Sequence, residues 1–275
     1  MGGEYMRFGR SVELAFASIG VSGRKWISRR PLGSRHSGNQ AATKVWCMSI
    51  QARPHSLQLV SDESLRGVLA LGLLEADGLS GDPLPPAYLI ERDQVVSRWQ
   101  TTHGGHQPSD VPGVAETRAL FHALSIDPTK HRPSSEALLR RVLQGRGLPE
   151  LGPVVDVCNL ASLEHQMPLG LYDRDTVRGI VDVRVGRDGE GYDGIRGQRV
   201  NLHQRLLLAD EDGPFGAPTS DSLRTSITPS TRNLAVVLFC PANRATQNLS
   251  TALERVSDLL TRYCAARVTT VRLVT

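Results

Sequence analysis

The sequence predicts an α+β fold in which helices pack on a mostly antiparallel, barrel-like sheet. Apolar residues recur with the helical period of 3.6 in the first half of the chain, up to about residue 165. From residue 177 the pattern changes to an alternation of apolar and charged residues, followed by a glycine-rich run at 186–197 that separates short hairpin strands. Helices that precede a run of strands are typical of an α+β domain.

Two apolar strands and two helices are predicted ahead of the central stretch. We expect strands over 56–60 and 68–75 and helices over 87–99 and 114–124, with a Gly- and Pro-rich link at 78–86. The histidines of His103-Gly-Gly-His106 have no third ligand at a fixed spacing. We therefore interpret that segment as a flexible loop rather than as a metal site.

The central stretch, residues 131–173, contains two helices joined by a Gly- and Pro-rich link. The first is predicted to begin at Ser134 or Ser135 and to stop before Gly145, with leucines and valine on one face and arginines on the other. The second, over 154–165, has no wholly polar side. It is therefore predicted to be buried.

That second helix carries a polar pair, Asp156 and Asn159, on one face. A carboxylate on a buried helix needs a partner, because an unpaired buried charge is very costly. One interpretation is an internal ion pair between Asp156 and one of the arginines nearest in sequence, Arg132, Arg140 and Arg141. The other is that the polar pair lines a pocket. The sequence leaves both interpretations open.

The second half of the chain is predicted to be mostly strands. We expect strands over 177–185, 205–210 and 234–239, a loop over 213–220, a helix over 247–266 and a last strand over 267–274. The glycine-rich run lacks the order G-x-G-x-x-G or G-x-x-x-x-G-K-[ST], and no serine stands in G-x-S-x-G. No phosphate cradle, cofactor or nucleophile elbow is therefore predicted.

The positive charge is concentrated at the beginning of the chain. The 275 residues carry a net charge of +4, but residues 1–47 alone carry +6, because eight basic residues stand against Glu4 and Glu13. The remainder carries −2 and is not a polycation. Any contact with nucleic acid is therefore expected from a local group of arginines, because phosphate binding needs clustered cations.

Residues 1–47 are rich in Ser, Gly and Arg and have no sustained apolar face. We expect them to be disordered, or to be an extension from a mis-called start upstream of Met48, with a transit peptide as the alternative. Residues 48–275 are expected to form a single domain. Four widely spaced cysteines favour free thiols and a reducing, cytoplasmic location, and no apolar run approaches the ~20 residues of a membrane helix.

A series of motifs runs through this region in order. Residues 154–179 read VVDVCNLASLEHQMPLGLYDRDTVRG, and LLLADEDGPFG at 206–216 and SITPSTRNLAVVLF at 226–239 follow. In this order they resemble the B3/B4 tRNA-binding and editing domain of the phenylalanyl-tRNA synthetase β subunit. HRPSSEALLRR at 131–141 and DSLRTSIT at 221–228 are similar to segments of the free-standing proteins of that family.

The resemblance implies the same α+β fold, but the sequence departs from the family at the editing site. There the family has a histidine in the proline turn and a glutamate on the strand near the end of the last motif; this chain has Gly170 and Val237. The later H-T-x-A-S segment has no counterpart. Editing chemistry therefore cannot be carried over to these positions, and without an ATP motif or a synthetase catalytic module aminoacylation is not expected.

Three functions remain open: a module that binds tRNA or its aminoacyl end, a stand-alone hydrolase of mischarged aminoacyl-tRNA with a rearranged site, and a small-molecule binder on the same fold. The expected partner is tRNA or aminoacyl-tRNA, with no membrane, DNA, metal or cofactor, and no catalytic residue is assigned. The residues predicted to bind substrate or RNA are Arg132, Ser134, Arg140, Arg141, Asp156, Asn159, Gly170, Tyr172, Asp173, Asp221, Arg224 and Thr225.

Overall fold

The computed structural model describes residues 56–274, so the expectations for residues 1–47 lie outside the described residues. The described part contains five α-helices, several of them close to their predicted bounds. Their bounds are α1 Pro86–His103, α2 Pro112–Ala123, α3 Ser134–Leu143, α4 Pro153–His165 and α5 Ser250–Cys264.

Eleven strands of the described residues form three sheets. Their bounds are β1 Leu59–Ser61, β2 Leu69–Asp77, β3 Leu169–Asp173, β4 Val181–Val185, β5 Gly191–Asp193, β6 Arg199–Asn201, β7 Leu206–Asp210, β8 Gly213–Ala217, β9 Ser220–Asp221, β10 Asn233–Pro241 and β11 Arg267–Val274. The orders are β1-β4-β7-β8-β9, β11-β2-β10-β3 and the hairpin β5-β6. Only β1 and β4 pair in parallel, which confirms the mostly antiparallel α+β prediction.

The four-stranded sheet is the middle layer and is buried on both faces at β2 and β10. Alternate residues such as Leu74 and Val236 pack against the helices, while Leu73 and Val237 pack against the five-stranded sheet. Because side chains alternate between faces along a strand, both faces of these strands must be apolar. This explains why β2 reads as a nearly continuous apolar run, and why the barrel-like arrangement takes the form of two facing sheets.

The outer face of the five-stranded sheet has a small core of its own. Tyr192, Val200 and Leu202, from the β5–β6 hairpin and the residue after it, pack on Leu207 and Ala217. The glycine-rich run is thus confirmed as a hairpin, and its role is to cover this face.

The structure differs from the predicted elements at several places, and the strand predicted over 177–185 begins only at Val181. The predicted proline turn contains the strand β3, and the predicted loop over 213–220 contains β8 and the start of β9. The cap of α3 is Pro133 rather than a serine, and no side chain caps that helix. Residues 245–249 form one π-helical turn, so α5 begins later than predicted. The strands were missed because Gly and Pro dilute the alternation on which a strand prediction depends.

Within residues 56–274, no helix is both long and apolar enough to cross a membrane. Within the same residues, no group of three or more His, Cys, Asp or Glu side chains is placed to hold a metal ion.

Candidate functional site

The beginning of α3 is organised around a buried carboxylate, Glu136. Its side chain is 1% exposed, and the Arg118 guanidinium donates to both of its oxygens, at 2.8 and 2.7 Å. Arg132 Nε lies 3.4 Å from the same carboxylate. A bidentate arginine–carboxylate pair compensates the charge of a buried carboxylate well, because two parallel hydrogen bonds join the two groups. Arg132, predicted to bind RNA, therefore lies beside an internal ion pair and is about one third exposed.

Of the other predicted residues of α3, Ser134 is fixed through its backbone and Arg141 through its side chain, whereas Arg140 is exposed. The backbone N–H of Ser134 donates to the carbonyl of Pro218 at 3.0 Å, which fastens the helix to the turn between β8 and β9. Arg141 Nε donates to the carbonyl of Gly147 at 3.0 Å, at the C-terminal end of the helix. Arg140 is exposed and makes no ion pair with any residue of the described chain. It remains available to a ligand.

Asp156 is buried, and the first of its two open interpretations, an ion pair with Arg132, Arg140 or Arg141, is wrong. Its Oδ1 accepts a hydrogen bond of 2.8 Å from the backbone N–H of Leu151, just ahead of α4. Burial raises the pKa of the Asp156 carboxyl, and the backbone N–H groups of Leu151 and Gly152 oppose that rise. A backbone donor thus replaces the expected arginine. Asn159 is half-buried, without a side-chain hydrogen bond inside residues 56–274.

Gly170 and Val237 face each other across the β3–β10 pair, as register partners. The side chain of Tyr172 lies over Gly170, because a Cβ built there would lie 2.5 Å from Tyr172 Cζ and closer still to its hydroxyl. The same ring covers Gly216 on β8, where a Cβ would lie 2.6 Å from Cζ. Tyr172 is 1% exposed and packs edge-on against Phe215, with ring centroids 4.9 Å apart. The ring therefore fills the space between the sheets at this point.

The hydroxyl of Tyr172 approaches the carboxyl of Asp221 on β9. Burial raises the pKa of Asp221 to about 7, against the opposing effects of the Tyr172 hydroxyl and of the backbone N–H groups of Leu171 and Ala217. The approach is imperfect, since neither the phenol oxygen nor Asp221 Oδ1 makes a hydrogen bond of good geometry within the described chain. The two predicted residues do meet; Tyr172 is fully buried and Asp221 is half-buried.

Hydrogen bonds of Asp173 connect the end of β3 to the segment that contains Thr225 and Thr231. The backbone N–H of Asp173 donates to the carbonyl of Thr225 at 2.9 Å, and Asp173 Oδ2 accepts from Thr231 Oγ1 at 2.7 Å. The Thr225 hydroxyl lies 3.1 Å from that of Ser222, and both residues are buried. These predicted site residues therefore hold the segment 221–231 against the sheet.

Arg224 forms ion pairs with two carboxylates of its own chain, Asp210 and Asp212. Its Nη2 and Nη1 lie 2.7 and 3.1 Å from the two oxygens of Asp210, and Asp212 is 3.6 Å away. The guanidinium also lies 5.8 Å from the centre of the Phe215 ring. A guanidinium already paired with two acids offers little to a phosphate, so the predicted RNA contact at Arg224 is not supported by this geometry.

The predicted residues do not converge on one cavity. Asp156 belongs to the helical layer, where its carbonyl accepts a hydrogen bond from Tyr88, whereas Tyr172 lies between the sheets. A cavity of about 140 Å³ lies between the start of α4 and the turn 227–231, and a cleft of about 420 Å³ lies beside 174–180. None of the twelve predicted residues lines either of them.

Comparison with known proteins places the chain in a family. The model of the B3/4 domain matches residues 116–265, which is more than half of the chain. The chain belongs to the B3/4 domain family.

Curated relatives of this B3/4 protein include phenylalanine–tRNA ligase β subunits. The identity is 34% over 151 residues to that of Synechococcus sp. (strain CC9605), covering 49% of this chain and 18% of that subunit. It is 32% over 116 residues to that of Tropheryma whipplei (strain Twist), covering 42% and 12%. The chain thus spans less than a fifth of the length of these relatives.

A solved structure also shows a distant similarity. It is an N-terminal fragment of the phenylalanyl-tRNA synthetase β subunit from Pyrococcus horikoshii, with a TM-score of 0.42 and 12% identity. The match covers 78% of this chain and 50% of that one. A TM-score of this size does not by itself establish a common fold.

Two features of the candidate site were not among the predicted residues. Glu136 could have been suspected, because it shares a helix face with the buried Leu139 and so needs a partner. Arg118, which supplies that partner, lies on a different helix and has no signal in the sequence. Gly216 is the second feature, since the need for a bare backbone under Tyr172 arises only when β8 and β3 are brought together.

Proposed function

We propose that this protein is a tRNA-binding module of the B3/4 type that does not hydrolyse aminoacyl-tRNA. The observation that carries the absence of hydrolysis is the identity of the paired residues Gly170 and Val237, which occupy the two positions of the family's acid–base groups. Neither residue can move a proton, and the Tyr172 ring occupies the space above Gly170 that a longer side chain would need. The relatives named above are ligases, but the chain spans less than a fifth of them, and their ligase activity is not proposed for it.

The RNA contact is proposed for the outer surface of α3 and the turn that follows it. Arg140 and Arg146 are exposed there and make no ion pair with another residue of 56–274. Arg141 lies between them, and only its Nε is tied to the carbonyl of Gly147. Phosphate binding depends on cations that are not already neutralised, because the gain comes from releasing counterions of the nucleic acid. This surface meets that condition better than Arg224 does.

The binding test compares charge reversals on two surfaces. Fluorescence anisotropy with labelled tRNA should give weak, salt-sensitive binding for the wild type. The double variant Arg140→Glu/Arg146→Glu should weaken it strongly. The matched control is Arg196→Glu, a reversal of an exposed arginine in the β5–β6 hairpin. An equal loss in the control, or no loss in the double variant, would contradict the proposed surface.

The hydrolysis test measures release of labelled tyrosine from mischarged tyrosyl-tRNA(Phe). Because the two acid–base positions are Gly170 and Val237, the protein should act little faster than buffer; positioned acid–base groups typically contribute a factor of ~10²–10⁴. Rapid turnover that Asp221→Asn abolishes would favour the stand-alone hydrolase. Absence of both binding and turnover would favour the small-molecule binder. Action on tRNA would fit the cytoplasmic location that the separated cysteines favour.

A further inference from the structure

The cavity of about 140 Å³ beside α4 is enclosed by three separate segments of the chain: the link after β2, the start of α4 with the residues before it, and the turn 227–231. A Cβ at Gly152 would meet nothing within 4 Å, and one at Gly81 would meet only the carbonyl of Pro229, at 3.6 Å. The space beside both glycines is therefore open. The apolar side chains of the wall are those of Leu151, Pro153, Val154, Val155, Ile227 and Pro229.

Each of the three segments is fastened to the body of the domain. In the link after β2, the N–H of Ser80 donates to the carbonyl of the last residue of α5 at 2.8 Å. In the turn, the Thr231 hydroxyl donates to Asp173 Oδ2 at 2.7 Å. Ahead of α4, the N–H of Leu151 donates to Asp156 Oδ1 at 2.8 Å. The cavity is thus formed in advance, and a ligand does not have to order its walls, which is one of the costs of binding.

The hydroxyl groups of the wall already have partners within the chain. Thr231 Oγ1 accepts from the N–H of Thr228 at 3.0 Å, in addition to its bond with β3, and the Thr228 hydroxyl lies 2.8 Å from that of Ser230. The Ser80 hydroxyl donates to Asp82. None of the eleven described residues that line the cavity has a charged side chain. The wall therefore offers a ligand mainly apolar contact.

The charges near the cavity do not favour an ionic ligand. The start of a helix attracts negative charge, but the first turn of α4 already contains the carboxyl group of Asp156. A second carboxylate would be repelled by it. A cation would lose its hydration without gaining a carboxylate on the wall, which is costly. These two conditions leave an uncharged ligand.

The side chain of Leu151 lies where the cavity meets the solvent. It is 67% exposed, although its backbone is fixed by the hydrogen bond to Asp156. Apolar surface gains free energy when it leaves water, by about 25 cal/mol per Å². An apolar ligand in the cavity would therefore be stabilised by contact with the inner walls and with this leucine together.

We propose that the cavity between the start of α4 and the turn 227–231 binds a small uncharged ligand with an aromatic or branched aliphatic body. An apolar cavity of similar size, about 150 Å³, stays dry and takes up benzene, so a body of about six to eight non-hydrogen atoms fits here. The cavity shares no lining residue with the proposed RNA surface of α3. Binding of the ligand is thus independent of the proposed function, and either can fail without the other.

The test is a titration of the full chain with toluene, followed by NMR of methyl-labelled protein. Toluene should bind saturably with a Kd of about 0.1–1 mM and shift the methyl signals of Leu151, Val155 and Ile227. Val155→Phe adds a ring to the wall of the cavity and should weaken binding by about tenfold or more. The matched control is Val60→Phe, the same exchange at an exposed valine of β1, and it should leave the Kd unchanged.

A comparison of ligands on the wild type keeps the proposal testable if Val155→Phe fails to fold. Benzoate and benzylammonium resemble toluene in size but carry a charge, and both should bind about tenfold more weakly or worse. Three results would overturn the proposal: no saturable binding of toluene, methyl shifts confined to another part of the chain, or benzoate binding as tight as that of toluene.

Discussion

A methyl group at position 170 should destabilise the protein through Tyr172. In the structure a Cβ at Gly170 would lie 2.5 Å from Tyr172 Cζ, and the ring cannot withdraw because it is 1% exposed and packed against Phe215. Overpacking of this kind costs about 1–3 kcal/mol, and sometimes more. For a domain of 150–250 residues each kcal/mol lowers Tm by roughly 2–4 °C, so Gly170→Ala should lower it by about 2–12 °C.

The same substitution should become harmless when the ring is gone. In the background Tyr172→Leu, Gly170→Ala should be neutral or stabilising, because alanine restricts the unfolded chain more than glycine does. The coupling energy from the double-mutant cycle should then be about 1–3 kcal/mol. Gly216→Ala should behave like Gly170→Ala, since a Cβ there would also meet Tyr172, at 2.6 Å from Cζ.

Urea denaturation of the four variants of the cycle measures these energies, with Gly81→Ala as the control. A Cβ at Gly81 would meet only the carbonyl of Pro229 at 3.6 Å, an ordinary contact, so this change should cost little. If Gly170→Ala were as mild as the control, or cost the same in the Tyr172→Leu background as in the wild type, Tyr172 would not be what excludes a side chain from position 170.

Three further changes test the remaining electrostatic contacts. Glu136→Ala should cost about 3–5 kcal/mol in urea denaturation, because it leaves Arg118 partly buried without its partner, and replacing both residues by leucine should cost less. Asp156→Ala should lower the free energy of unfolding by only about 1 kcal/mol, because it removes one hydrogen bond to the backbone and leaves no arginine without a partner. Arg184 lowers the pKa of Glu190 to about 2, so the stability from this pair should be present above about pH 4.5 and disappear as the pH falls toward 2; in acid titrations Glu190→Gln should lack that loss.

The elements that were predicted well are those whose own order of apolar and polar residues identifies them as a helix or a strand. The last strand was predicted with the bounds 267–274 that the structure has, and α4 lies within one residue of its prediction. In both, a continuous apolar or alternating run is bounded by turn residues. The strand β8 was missed because Gly213, Pro214 and Gly216 carry no alternation, and it is held as a strand by its neighbour β7.

The roles of single residues were less predictable than the elements. Asp156 was correctly expected to be buried, since its helix has no polar side, but its partner is a backbone N–H that no pattern marks. Arg224 was expected to contact RNA, yet Asp210 and Asp212 neutralise it. Leu151 lies only five residues from Asp156 and Asp210 only 14 from Arg224, but these contacts form only when the chain turns in the way that brings them together. One sequence does not display those turns.

The number of unpaired arginines limits how RNA binding by this domain can behave. If Arg140 and Arg146 are the phosphate contacts, only about two counterions are released, and log K against log salt should fall with a slope of roughly −1.4 to −1.8. A markedly steeper slope would require further cations. Residues 1–47 carry eight basic residues against two acidic ones, whereas residues 48–275 carry a net charge of −2. A steep slope for the full chain that becomes shallow for residues 48–275 would therefore assign most of the affinity to that segment, and the B3/4 domain would contribute position rather than charge.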